Sequence, residues 1–106
     1  MKLNFRNAAI ICLAASIAAP AFAQGAGADT FKKNCLMCHG ADGLGATPVG
    51  KSLKVVSFKD PTAVKSTDAD LIAIVKNGKN KMPAYTGKLT DAQIKSAITY
   101  IRTLQK

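Results

Sequence analysis

The chain has 106 residues, 15 of them basic and 6 acidic, with a formal charge of +9, one histidine and three cysteines. That length sets one small domain. Beyond Cys35, Cys38 and His39 the sequence offers one further donor, Cys12, in the apolar stretch read below as removed, so a structural zinc site built from two ligand pairs fits poorly, and lysines spread along the sequence make a poor case for nucleic acid.

Lys2 and Arg6 form a basic start, Ala8 to Ala19 an apolar run, Pro20 a break, and Ala21-Phe22-Ala23 a small-x-small cleavage site. This pattern predicts a signal peptide over residues 1–23, cut before Gln24, and export to an extracytoplasmic compartment, most simply a bacterial periplasm. A helix needs roughly twenty apolar residues to span a hydrocarbon core of about 30 Å, so the twelve-residue run is too short to be a permanent membrane anchor. Cys12 follows Ile11 rather than a small residue, which argues against lipoprotein processing.

The mature domain is then residues 24–106, an 83-residue chain whose thiols are Cys35 and Cys38. Domains this short often lean on a metal, disulfide or cofactor as an internal brace. Losing Lys2 and Arg6 leaves 13 basic residues against 6 acids, every one an Asp, for a formal +7. Such a surface favours acidic partners and fast, salt-sensitive encounter.

Gly25 to Gly27 reads as a loose start, with a helix beginning near Ala28 or Asp29, where Asp29 suits the helix dipole. The helix runs through Phe31 into Cys35-Leu36-Met37-Cys38-His39. Phe31 and Cys35 share a face, while Lys32 and Lys33 turn to water. In C-x-x-C-H, two thiols one turn apart can add to the two vinyl groups of a porphyrin, and the adjoining imidazole then lies against the iron. The motif therefore reads as a covalent attachment site for haem c. A thioredoxin-like redox pair would need strands alternating with helices, which the sequence lacks. A plain disulfide would leave His39 without a role.

Gly40, Gly43, Gly45, Pro48 and Gly50 punctuate the next stretch too densely for a regular element and predict a loop that wraps a flat ligand. Pro48 and Leu53 are candidates to line the His39 side of that pocket. A backbone carbonyl of this loop is the expected partner for the second nitrogen of His39. Val55, Val56 and Phe58 fit a short extended piece or one helical turn, and Asp60-Pro61 reads as a cap and first position of a small helix within residues 60–65.

Thr67 with Asp70 resembles a capping box opening a helix with Leu71, Ile72, Ile74 and Val75 on one face, and Gly78 is placed to end it. Lys79-Asn80-Lys81-Met82-Pro83-Ala84-Tyr85 follows as a basic loop, with Pro83 holding Met82 extended. Thr90 and Gln93 form a capping box for the last helix, whose Ile94, Ala97, Ile98, Ile101 and Leu104 recur at helical spacing.

An iron bound by His39 has one axial position left. No second histidine exists, and of the two mature methionines Met37 lies between the anchoring cysteines, leaving Met82, about forty residues downstream, as the first candidate. The alternative, a methionine filling a gap in the core, fits a polar loop between Lys81 and Pro83 poorly. Lys79 or Lys81 is the substitute ligand if an amine deprotonates at high pH.

These residues together resemble the class I cytochromes c of the small soluble monohaem bacterial type. The resemblance spans the mature chain and rests on Phe31 before Cys35, the block Cys35 to Gly40, Ala41-Asp42-Gly43-Leu44-Gly45, Lys81-Met82-Pro83-Ala84-Tyr85 and Tyr100-Ile101-Arg102. It implies an all-α cytochrome c fold, three to four helices wrapped around one covalent haem. The N- and C-terminal helices would cross, with Gly27 and Phe31 meeting Ala97 and Tyr100. It also implies attachment through Cys35 and Cys38, axial ligation by His39 and Met82, orientation of His39 by a proline carbonyl for which Pro48 is the nearest match, and Tyr85 near a propionate.

The function expected is one-electron transfer by a monomeric periplasmic carrier rather than an enzyme, docking acidic redox partners transiently through Lys79, Lys81 and Lys51. Two other functions compete. A haem sensor or small peroxidase would need an open Met82 position, and no distal acid–base pair is visible for peroxide chemistry. The chain could also serve as a fixed subunit of a larger complex.

Overall fold

The computed structural model describes residues 25–106; the expected leader, its expected cleavage site before Gln24 and Cys12 lie outside them. The described residues form six helical segments and no strand: α1 (25–34), α2 (Leu36–His39), α3 (Pro48–Ser52), α4 (Pro61–Lys65), α5 (Asp68–Asn77) and α6 (Asp91–Leu104). The expected three to four helices correspond to the longer segments, with the shorter ones of four or five residues added between them. No helix among the described residues is long and apolar enough to cross a membrane.

α6 forms as its sequence dictates. The Thr90 hydroxyl accepts from the Gln93 amide at 3.1 Å and the Gln93 side chain accepts from the Thr90 amide at 2.8 Å, which satisfies two donors a helix start would otherwise leave unpaired. Its Ile94, Ala97, Ile98 and Ile101 are buried. Across from that stripe lies Phe31 of α1, only 1 % exposed, whose ring sits 5.4 Å from Tyr100 and edge-on to Phe58 at 6.1 Å. Cys35, Leu71, Ile72, Val75 and Leu104 close around this centre.

The loose start expected at Gly25 to Gly27 is corrected: the backbone is already helical at Gly25. Gly27 is buried and so close to α6 that a Cβ there would collide with the Ser96 carbonyl. The glycine that weakens the helix locally is what lets α1 and α6 cross at backbone contact, and that packing outweighs the weak propensity.

α5 closes as expected, but its capping box is only half formed, because the short Asp70 side chain makes no return bond to the Thr67 amide. The Thr67 hydroxyl accepts from the Asp70 amide at 3.1 Å, and Gly78 ends the helix at φ +76°. α4 likewise begins at Pro61, with the Asp60 carboxylate accepting from the Thr62 amide. Its last turn is fastened by Arg102 of α6, which donates to the carbonyls of Ala63, Val64 and Ser66 and pairs with Asp68 at 2.9 Å. Arg102 lies off the apolar stripe, as its spacing indicates, yet it joins three helices.

The punctuated stretch after the motif is not wholly irregular, because α3 interrupts it. Thr47 caps α3 by accepting from the Gly50 amide at 2.9 Å, and Pro48 takes the first helical position, where a missing amide hydrogen costs nothing. The same hydroxyl donates to the carbonyl of Met37 at 2.7 Å, which stitches α3 to α2. Gly50 permits the contact, since a Cβ there would strike the Cys38 carbonyl. Val55 and Val56 are neither strand nor helix.

Candidate functional site

The motif keeps its helical bonding through a local distortion. Cys35 departs from helical geometry at φ −119°, yet its amide donates to Phe31 at 2.8 Å, that of His39 to Cys35 at 2.9 Å and that of Gly40 to Leu36 at 2.8 Å. Cys35 and Cys38 therefore stay on one side of the chain, about a turn apart. Both are free thiols. Burial, with Cys38 adding to it, pushes the Cys35 thiol up to about 11. That is opposite to the lowered pKa of a reactive redox C-x-x-C pair.

Cys35, Cys38, His39 and Met82 all line one cavity of about 700 Å³. Leu53, Val55, Leu71 and Ile74 give it an apolar wall, and Asn80, Lys81 and Tyr85 stand on the Met82 side. Leu53 thus lines the pocket as the sequence suggests, whereas Pro48 does not. The size lies in the range of roughly 300–1,000 Å³ common for cofactor sites.

Burial lowers the His39 pKa below its ordinary value, so the imidazole is held neutral, the form that can ligate a metal. Its Nδ1 is buried without a hydrogen-bond partner. The carbonyl expected from the following loop, with Pro48 as the nearest match, does not bond it. The loop instead uses the Gly45 amide on the His39 carbonyl at 2.8 Å, tying down the backbone and leaving the ring nitrogen alone. The ring is stacked on Phe58, with centroids 4.6 Å apart and planes 21° from parallel.

Met82 is held far more firmly than a free loop would hold it. Its amide donates to the Lys79 carbonyl at 2.9 Å and its carbonyl accepts from the Lys79 amide at 3.1 Å, around Asn80 at φ 53°. The Tyr85 amide reaches Val75 of α5 at 2.9 Å, and the Thr86 hydroxyl reaches Lys76 at 2.7 Å. The Tyr85 hydroxyl donates to the Asn34 carbonyl at 2.9 Å, joining this segment to the end of α1. Burial raises the Tyr85 pKa, and Cys35 and Cys38 raise it further, so the phenol stays protonated as a donor. Lys79, Lys81 and Lys51 are exposed, and the first two stand at the cavity.

The donor set fits a covalently tethered haem: two thiols, a neutral imidazole and a thioether converge on one apolar cavity, although Met82 lies more than forty residues beyond the motif. Among the described residues, no group of three or more His, Cys, Asp or Glu side chains is placed to hold a metal ion as a zinc site would. Sequence reasoning missed Thr47 and the contact of Phe58 with His39. Thr47-Pro48 carried a usable signal, a cap residue followed by proline, but nothing local announces the Phe58 contact.

Comparison with known proteins shows the family. Residues 22–101 match the family described as cytochrome c oxidase, cbb3-type, subunit III. The chain is 35% identical over 94 residues to a cytochrome c6 of Synechococcus sp., covering 87% of this chain and 81% of the relative. It is 34% identical over 105 residues to the cytochrome c6 of Thermosynechococcus vestitus, covering 95% and 91%, and 38% identical over 76 residues to that of the alga Gracilaria tenuistipitata, covering 72% and 68%. With a helical fold that gathers the C-x-x-C-H motif at one apolar cavity, the chain belongs to the small c-type cytochromes, haem electron carriers rather than enzymes.

Proposed function

We propose that this cytochrome is a diffusible, monomeric periplasmic carrier of single electrons, holding one haem c through Cys35 and Cys38 with His39 and Met82 as axial ligands. The observation that carries the reading is the convergence of these four side chains on one cavity. When bound, the haem iron supplies a ferric–ferrous couple. His39 and Met82 would hold that iron, leaving no position open to a substrate, and the thioether would favour the ferrous state. A segment of 1–23 acting as leader, cut before Gln24, accounts for delivery to the compartment.

Visible spectra of the protein matured in a periplasm test the ligand set. The native ferric protein is expected to show the weak long-wavelength sulfur-to-iron band. Met82→Ala is expected to lose it, to bind carbon monoxide when reduced, and to have a lower midpoint potential, by a fraction of the roughly 0.8 V over which axial ligands tune haems. A variant that keeps the band rules out Met82 as ligand. Native protein that itself binds carbon monoxide at neutral pH moves the sensor reading ahead.

Partner docking follows from charge. Exposed Lys51, Lys79 and Lys81 on a chain of formal +7 after cleavage present a cationic face to acidic surfaces. The second-order rate of electron transfer to an acidic partner is expected to fall by at least about tenfold as salt rises from roughly 0.01 to 1 M and the screening length shrinks from about 30 to 3 Å. A rate indifferent to salt overturns the docking face. The family's description as an oxidase subunit favours one other reading, permanent assembly in a complex, which stoichiometric co-purification would reveal.

A further inference from the structure

Cys35, Cys38 and Met82 all bring their sulfur-bearing side chains to the cavity. Met37 does not. It stands between the two cysteines in α2, takes no part in the cavity wall and is 73 % exposed, more than any other large apolar residue among those described. Methionine is among the residues most often buried, and here it packs on little. What a thioether offers on a surface, and Leu, Ile or Val does not, is a sulfur that can be oxidised and then restored.

We infer that Met37 is a reversible oxidation site, taking an oxygen atom from a peroxide before Met82 does. A sulfur lone pair attacks one peroxide oxygen, and a sulfur–oxygen bond forms as the oxygen–oxygen bond breaks. The second oxygen of hydrogen peroxide leaves as water, so the sulfur gives up two electrons and the peroxide gains them. A methionine sulfoxide reductase reverses the change: its dithiol becomes a disulfide and the oxygen departs as water.

Two conditions must hold, access and tolerance. A cofactor filling the cavity would cover Met82, which lines it, and would leave Met37 open, because Met37 is not in the wall. A sulfoxide is polar and disrupts a core in which it forms. The Met37 side chain lies mostly in water, so the new dipole is hydrated rather than buried. Its backbone is held without help from that side chain: the Thr47 hydroxyl donates to the Met37 carbonyl at 2.7 Å, and Gly50 of α3 lies against the neighbouring Cys38 carbonyl. Met82 differs on both counts, being half-buried and facing the cavity. Oxidation at Met37 therefore changes the polarity of the surface at the attachment motif, beside the exposed Leu36, and leaves the fold alone.

The test uses the haem-loaded protein and dilute hydrogen peroxide. Peptide mass spectrometry is expected to find the first added oxygen on Met37, at a rate at least about tenfold above that on Met82, because accessibility governs the reaction. The singly oxidised protein is expected to keep its helical circular dichroism and its visible spectrum. The pair of sulfoxide reductases, one for each epimer, is expected to remove the oxygen when supplied with dithiothreitol. Met37→Leu, an exchange at an exposed position, is expected to take up no oxygen in the time that modifies native Met37. Oxygen arriving on Met82 first, or on both at equal rates, overturns the proposal. So does a Met37 sulfoxide that unfolds the chain or that the reductases cannot restore. Failure of Met82 as an iron ligand has a separate sign, absence of the sulfur-to-iron band before any peroxide is added.

Discussion

Exchanging Cys35 and Cys38 together for alanine is expected to yield a chain that retains no haem after denaturation. With the attachment proposed above, each cysteine would account for one carbon–sulfur link, its thiol adding across a vinyl group with the hydrogen going to the other vinyl carbon. The single variants should each keep a polypeptide-bound haem through the remaining sulfur, and the double variant none. The measurement is haem absorbance that migrates with the unfolded polypeptide on a gel. The double variant should also lose much of its helical circular dichroism. The cavity of about 700 Å³ is walled by Leu53, Val55, Leu71 and Ile74, which face open space unless a cofactor covers them. A domain the size of residues 25–106 has little other core to draw on. Covalently retained haem in the double variant would refute the assignment of both cysteines.

The second large effect falls on the fold. Phe31→Ala in the haem-loaded protein is expected to cost about 3–5 kcal/mol, the range for truncating a buried phenylalanine. The residue is 1 % exposed and packs at once against Tyr100, Phe58, Ile98 and Ile101, so the cavity left behind lies between α1 and α6 with close backbone contact at Gly27 hindering collapse. Against a total stability of about 5–15 kcal/mol this is a large fraction. Phe31→Leu should cost less than half as much because most of the volume remains. Urea unfolding followed by circular dichroism gives both values, and a loss below about 1 kcal/mol for the alanine variant would mean that Phe31 is not the centre of the crossing.

What the sequence declared openly was whatever depends on neighbours in the chain. The Thr90–Gln93 box, the stripe from Ile94 to Ile101, the stop at Gly78 and the cap at Asp60 each need only a few adjacent residues, and each stands where its spacing puts it. The attachment motif was legible for the same reason, since its chemistry lies within five residues. What stayed hidden depends on tertiary contact. Gly27 looked like a weak helix start because its use, close approach to Ser96, involves a segment about seventy residues away. The resemblance makes Pro48 the nearest match for the carbonyl that orients His39, but Pro48 opens α3 without bonding the ring, and Phe58 meets the imidazole. Arg102 lies off the apolar stripe of α6, and only the tertiary fold brings it to the carbonyls at the end of α4.

The ties that join Met82 to its surroundings bear on how quickly this cytochrome could let a ligand go. Lys79 and Met82 bond each other, Tyr85 and Thr86 bond the last turn of α5, and the Tyr85 hydroxyl bonds α1. Releasing the methionine side chain by swinging its loop outward would break all of these together, so residues 76–86 behave as one cooperative opening unit. Its amides should exchange with solvent as a block. With Met82 as the proposed ligand, the slow step in admitting any foreign ligand would be a local unfolding event whose rate belongs to the polypeptide. Between such events these bonds would leave the Met82 segment little freedom to rearrange when the charge of a bound haem changes, the condition under which an electron is both taken and given up with little delay.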